Sequence, residues 1–347
     1  MITASSQTAQ STLTEQPHST DWRQQYRQAI ANPHELLQML GLTELADRLA
    51  ADLQGFPLRV PRSYVARMRH GDASDPLLRQ VLPLDDENRL HPGYDFDAVG
   101  DHNARTAQGV LQKYHGRALL IATGSCAIHC RYCFRRHFPY AQDIAAASDW
   151  QHALHQLRRD ENISEVILSG GDPLALATHK LSQLSEALNT IPHIRRLRIH
   201  TRLPIVLPAR VDDEFCAWLQ AVPQKTALVL HANHAQELDA EVIRACQRLQ
   251  QCGTVLLNQA VLLRGINDAV ESLRELSERL FDAGVLPYYL HQLDRVHGTA
   301  HFAVDDATAL HLCAQLRRQL PGYLVPRLVR EIEGEASKTP LGEGQLT

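Results

Sequence analysis

The sequence predicts an α/β protein, a partial TIM-like barrel of about six β/α units preceded by a small helical extension. Three observations carry this expectation. After residue 105, short aliphatic runs alternate with longer amphipathic stretches, the rhythm of a parallel sheet with helices packed on its outer face. Between Trp22 and Leu53, by contrast, Ile30, Leu36, Leu37, Leu40, Leu42, Leu45 and Leu49 recur at helical spacing. A chain of 347 residues with 44% hydrophobic composition can also bury a barrel-sized core and an appendage.

Taken in order, residues 1–20 are polar, lack the basic start and apolar stretch of a secretory signal, and predict a disordered tail. Residues 21–104 form the helical region, broken at Asn32-Pro33 and Gly41, and an irregular connector rich in proline, glycine and aspartate. The barrel follows over 105–335, with strands expected at Arg117–Ala122, Glu165–Ser169, Leu197–His200, Ala227–His231, Val255–Gln259 and Tyr288–Gln292. A seventh extended piece covers Leu324–Arg330. Helices are expected near 143–159, 178–189, 212–219, 239–252, 270–283 and 304–320, and residues 336–347 make a C-terminal segment. Chemistry in such barrels gathers where the C-terminal ends of the strands converge, so a functional residue should follow a strand.

Composition narrows the function. Lysine and arginine total 35 against 39 acidic residues, a net charge of -4, which gives no basic field for nucleic acid. No apolar run approaches the ~18 residues of a membrane span, so a soluble protein is expected. Seven cysteines, three of them within eight residues, suit metal ligation in a reducing compartment such as the cytoplasm better than a disulfide framework. Cys216, Cys246, Cys252 and Cys313 are scattered and read as packing residues.

The crowded trio, Cys126, Cys130 and Cys133, has C-x3-C-x2-C spacing just after the first barrel strand. Three thiolates can hold three irons of a [4Fe-4S] cube and leave the fourth open to chemistry. A zinc site completed by His129 or His137, or a ferredoxin-like electron carrier, are the other readings of these residues. After the second strand comes Ser169-Gly170-Gly171-Asp172-Pro173-Leu174, where glycines let the backbone approach a ligand or simply turn the strand into a helix.

The cysteine spacing, with Tyr132 before the last cysteine, resembles the radical S-adenosylmethionine superfamily. The S-G-G-D-P-L segment, R-x-P-x-V-L-P at Arg202–Pro208 and L-L-R-G-I-N-D at Leu262–Asp268 resemble its lysine 2,3-aminomutase family, over roughly residues 55–340. The resemblance implies an isomerase in which S-adenosylmethionine binds the open iron beside Tyr132, Gly170, Gly171, Asp172, His231 and Gln259, with His234 nearby. It also implies pyridoxal phosphate on a lysine, and a flavodoxin- or ferredoxin-type electron donor.

Only four lysines are available. Lys113 and Lys225 precede strands, at what should be the wrong face, and Lys180 lies in a helix, whereas Lys338 follows the last extended segment. The segment before Lys338, E-G-E-A-S, stands where the family has a glycine-rich run before its pyridoxal lysine, which makes Lys338 the expected attachment point. By the same resemblance Tyr114 and Arg117 help bind pyridoxal phosphate, Arg135 pairs with the carboxylate of the substrate lysine, and Asp294 and Glu331 hold its ammonium. Glu331 departs from the aspartate of the free-lysine mutases. Ala269 replaces a zinc-ligating cysteine of those enzymes, and only nine residues follow Lys338. These features resemble the short branch that makes (R)-β-lysine for elongation factor P, attached by a separate lysyl-tRNA-synthetase-like ligase. Lysine catabolism or osmolyte synthesis, and an iron–sulfur binding protein without aminomutase activity, stand as alternatives.

Overall fold

A computed structural model describes residues 21–53, 55–140, 143–148 and 150–342, so the tail expected at 1–20 lies outside the described residues. Its centre is one sheet whose strands lie side by side in chain order. The seven parallel strands are β3 (Arg117–Thr123), β4 (Glu165–Gly170), β5 (Arg196–Thr201), β6 (Lys225–Leu230), β7 (Val255–Val261), β8 (Leu286–His291) and β9 (Arg327–Arg330). Each matches an expected strand to within three residues at either end. At one edge, the short strands β1 (Arg105–Ala107) and β2 (Val110–Leu111) form an antiparallel hairpin against β3. At the other, β10 (Thr339–Pro340) runs antiparallel to β9, so the two residues directly after Lys338 belong to the sheet. Pro340 is tolerated there because an edge strand need donate only on one side.

The helical layer begins with α1 (Trp22–Arg27), α2 (Pro33–Leu40), α3 (Arg62–Val65) and α4 (Pro76–Arg79), all N-terminal to the sheet. Between strands lie α5 (Gln151–Arg159), α6 (Thr178–Asn189), α7 (Leu203–Val206), α8 (Asp213–Ala221), α9 (Ala240–Gln251), α10 (Val270–Asp282) and α11 (Asp306–Gln319). Aspartates open several of them. Asp212, Asp239 and Asp305 accept the backbone N–H of Phe215, Val242 and Thr308 at 2.8, 2.9 and 2.9 Å, satisfying donors that the first turn leaves free. The helix expected at 143–159 starts only at Gln151.

Strand side chains alternate between two interiors. Ala118, Leu120, Val166, Leu168, Leu197, Ile199 and Leu290 pack in the main core, which also takes in Trp22, Leu37 and Tyr64 of the N-terminal region. The intervening positions, Arg117, Leu119, Ile167, Arg198, His200, Gln259, Tyr289 and His291, line a cavity on the inner face. This period of two places polar side chains inside the ring without disturbing the apolar layer behind it.

The N-terminal region also wraps the segment that carries the three clustered cysteines. Tyr26 donates to the Cys126 carbonyl at 3.0 Å, His129 N–H donates to the Arg59 carbonyl at 2.9 Å, and Arg131 N–H donates to the Gln80 carbonyl at 2.9 Å. Glu87 receives Arg131 at 2.7 and 2.5 Å and Arg136 at 2.7 Å, all three side chains being buried. The connector is therefore the outer wall of the cysteine segment.

Candidate active site

The three cysteines follow β3, and all of them line a cavity of about 310 Å³ at the C-terminal ends of the parallel strands. None is disulfide-bonded. Burial, with neighbouring thiols and Asp172 adding to it, pushes the Cys126 thiol well up, and burial with Cys130 beside it pushes Cys133 up to about 11. Cys126 and Cys133, whose thiols resist ionising, need a cationic partner to become thiolates, which is what iron supplies. The donor set therefore fits a cluster. Among the described residues no three histidine, cysteine or acidic side chains are drawn together as a cage for one ion.

The glycines after β4 have a geometric reason. Gly171 N–H donates to the Thr123 carbonyl at 2.7 Å, and Asp172 N–H donates to that of Ser125 at 2.8 Å, so this backbone lies directly against the start of the cysteine segment. A Cβ on Gly171 would meet Ser125 O at 2.6 Å, and one on Gly170, whose φ is +110°, would meet Thr123 O at 2.8 Å. Both glycines line the cavity, yet the close approach they permit is to this protein's own backbone.

Asp172 also lines the cavity. Its carboxylate accepts from Thr201 (2.7 Å), from the N–H of Arg202 (2.7 Å), Leu203 (2.9 Å) and Leu174 (3.0 Å), and is thereby committed to fixing the end of β5. Tyr132 and His231 stand together on the wall with ring centroids 5.7 Å apart, and burial, reinforced by Arg202, pushes His231 down to about 3, so its imidazole is neutral. Gln259 faces the same space. His234 does not line the cavity; its Nδ1 accepts the Gln236 N–H at 3.1 Å and caps the turn after β6.

Lys338 faces the cavity with its ammonium bonded to Glu331. The same carboxylate accepts from the Tyr114 hydroxyl at 2.6 Å and lies 3.7 Å from Lys113. Burial alone would raise the Glu331 carboxyl, but Lys338 and these neighbours hold it below the ordinary range. Asp294, also on the wall, is pushed by burial up to about 7, Lys338 opposing and Glu331 adding to the shift. Arg117 lies over the Tyr114 ring at 4.8 Å, and its Nε is buried without a partner, an orphaned donor suited to an anionic ligand such as phosphate. Arg135 is buried, with Nε on Asp101 at 2.6 Å and Nη1 on Ser169 at 2.9 Å, while the residue lines the cavity.

Two expectations change. Lys113 precedes β3 but still lines the cavity, where it pairs with Asp101 at 2.7 Å. His200 and His291, absent from the expected site, both line the cavity with a buried, unpartnered Nε2. Their positions at the ends of β5 and β8 were signal enough. Asp101 carried no such signal, since it sits in the connector.

A three-cysteine segment after the first of seven parallel strands is an arrangement suited to an iron–sulfur protein, and a family profile described as a 4Fe-4S single cluster domain matches residues 115–198. Three curated relatives share the name L-lysine 2,3-aminomutase. That of Escherichia coli (strain K12) is 47% identical over 94% of this chain and 95% of its own, and that of Haemophilus influenzae is 43% identical over 93% and 96%. The Clostridium subterminale protein is 32% identical over 92% of this chain and 77% of its own. The chain belongs to the lysine 2,3-aminomutase family of isomerases. Among the described residues no helix is long and apolar enough to cross a membrane.

Proposed function

We propose that this chain moves the 2-amino group of L-lysine to carbon 3, giving β-lysine. The observation that supports it most directly is one cavity with the three thiols on its wall and a lysine paired to a carboxylate on the same wall, Asp294 beside them. Cys126, Cys130 and Cys133 would hold the cluster, Lys338 would carry pyridoxal phosphate, and Arg117 with Tyr114 would hold its phosphate end. When bound, the cluster and S-adenosylmethionine supply a hydrogen-abstracting radical, and pyridoxal phosphate supplies the electron sink that lets a nitrogen migrate.

The remaining steps belong to the protein. Glu331 holds the Lys338 ammonium in place until the amine is needed, and the Tyr114 hydroxyl fixes the other carboxylate oxygen. Asp294 and Glu331 offer negative charge for the far ammonium of the substrate, and a buried ammonium requires such partners. Arg135, oriented by Asp101 and Ser169, presents its guanidinium to the substrate carboxylate.

We favour β-lysylation of elongation factor P as the use of the product. Ala269, which opens α10, places a methyl group where the free-lysine mutases have a zinc-ligating cysteine. The test has two arms. Anaerobic reconstitution with iron, sulfide, pyridoxal phosphate, reductant and S-adenosylmethionine should convert L-lysine to β-lysine, and 5′-deoxyadenosine without β-lysine rejects the assignment. Cells lacking the gene should yield elongation factor P without the β-lysyl mass; unchanged factor rejects the favoured use. In Lys338→Ala the absorbance of protein-bound pyridoxal phosphate should disappear while the cluster stays, and retention of that absorbance would move the attachment to another lysine.

A further inference from the structure

Arg202, the residue after β5, takes no part in the function just described, yet it occupies the most densely bonded polar position beside the cysteines. Its side chain is buried. Nη2 donates to Gln80 Oε1 at 2.7 Å, to Glu237 Oε2 at 2.9 Å and to the Tyr64 hydroxyl at 3.1 Å. Nη1 donates to the Tyr132 hydroxyl at 2.6 Å and to the sulfur of Cys130 at 2.7 Å. Its partners are themselves held. Glu237 is fully buried, and its other oxygen accepts Gln80 Nε2 at 3.1 Å and Asn233 N–H at 2.9 Å, while Asn233 Nδ2 donates to Tyr132 at 2.7 Å.

This arrangement fixes the plane of the guanidinium. One nitrogen is spent on Glu237, Gln80 and Tyr64, and the other serves the Tyr132 hydroxyl and the Cys130 sulfur. Nη1 divides its two hydrogens between these last two, so one N–H is held against the sulfur by the bonds around it. Donors to cluster sulfurs matter because an added electron places charge on those sulfurs, and a fixed N–H in a low-dielectric surrounding stabilises the reduced state more than the oxidised one. The Cys133 sulfur receives a backbone N–H, that of Arg135, whereas Cys130 receives a single N–H from a cationic guanidinium.

We propose that Arg202 is a positioning residue of the cluster, whose Nη1–H···Sγ bond to Cys130 raises the reduction potential and so brings the electron that cleaves S-adenosylmethionine within reach of a weak donor. The proposal rests on the reading of the three cysteines as cluster ligands. No proton is exchanged in it: one electron enters the cluster from an external reductant, and the bond strengthens.

The test uses full-length protein reconstituted anaerobically, with EPR-monitored redox titration of wild type, Arg202→Lys and the charge-balanced double variant Arg202→Gln/Glu237→Gln. A lysine ammonium keeps the charge and can satisfy Glu237, but as a point donor it cannot also reproduce the bonds of the second nitrogen. The expected result is unchanged iron content with a lowered midpoint potential in both variants. Formation of 5′-deoxyadenosine should fall several-fold with a weak reductant and recover with a strong one. Midpoints equal to wild type in variants that carry a full cluster overturn the proposal, whereas a wild-type protein that forms no [4Fe-4S] cluster overturns the ligand reading beneath it. Should both variants fail to fold, pulsed EPR on reduced wild type made with arginine labelled with 15N in the guanidinium decides the matter. A nitrogen coupling to the cluster supports the bond, and its absence overturns it.

Discussion

Replacing Glu87 by glutamine should loosen the cysteine segment without touching the cavity. Glu87 is the common acceptor of Arg131 and Arg136, at 2.5–2.7 Å, and the side-chain exposures of the three are 3%, 0% and 3%. Glutamine keeps the shape and one acceptor but leaves two buried guanidinium groups without a counter-charge. Breaking a buried pair in this way costs about 3–5 kcal/mol, and the low exposure here leaves little solvent screening to discount. An unfolding entropy of about 2.1 cal/mol/K per residue over this chain comes to roughly 0.7 kcal/mol/K, so the cost corresponds to a fall of about 4–7 °C in Tm for cooperative unfolding. The two arginines flank Cys133 in the chain, so the iron content after reconstitution should fall as well. Differential scanning calorimetry on the protein and iron analysis of the reconstituted variant read the two effects. Wild-type Tm and full iron content in Glu87→Gln would refute the idea that this buried triad holds the segment.

Two further outcomes are expected. Asp294, raised to about 7 by burial, is neutral in acid and gains its charge as pH rises. The KM for lysine should therefore fall with increasing pH, by up to about tenfold per unit below the midpoint, and Asp294→Asn should flatten the profile; parallel profiles for the two proteins would remove Asp294 from ammonium binding. Gly171→Ala forces a Cβ within 2.6 Å of Ser125 O and 2.8 Å of Gly124 C, both backbone atoms, so the strand must shift at a cost of about 1–3 kcal/mol and iron content should drop. Unchanged stability and iron content in Gly171→Ala would show that the close approach is dispensable.

The parallel strands could be read in the sequence because strands buried on both faces are nearly continuous aliphatic runs, as Val166-Ile167-Leu168 shows. The barrel rule then placed Asp294, Glu331 and His231 at the mouth, and in the structure all three line the cavity. Very short pieces escaped: β1, β2 and β10 have two or three residues each, too few for any period. The buried networks escaped for another reason. Glu87 meets Arg131 across 44 positions, Gln80 meets Arg202 across 122, and Asp101 meets Arg135 across 34, spacings that only the closed fold brings together. The glycines of the S-G-G-D-P-L segment were legible as necessary, but the partner they make room for is the backbone of β3 and its extension.

The first and last parallel strands do not pair with each other; across their gap the Tyr114 hydroxyl reaches Glu331, 217 residues away in the chain. On the proposed assignment of Glu331 to the substrate ammonium, positions 114 and 331 are accordingly a single locus for anyone redesigning the site. Shortening the acid to aspartate withdraws its oxygen from the phenol, so a swap made at one position alone would trade a change in ligand preference for a seam that no longer fastens, and the two should be varied as a pair.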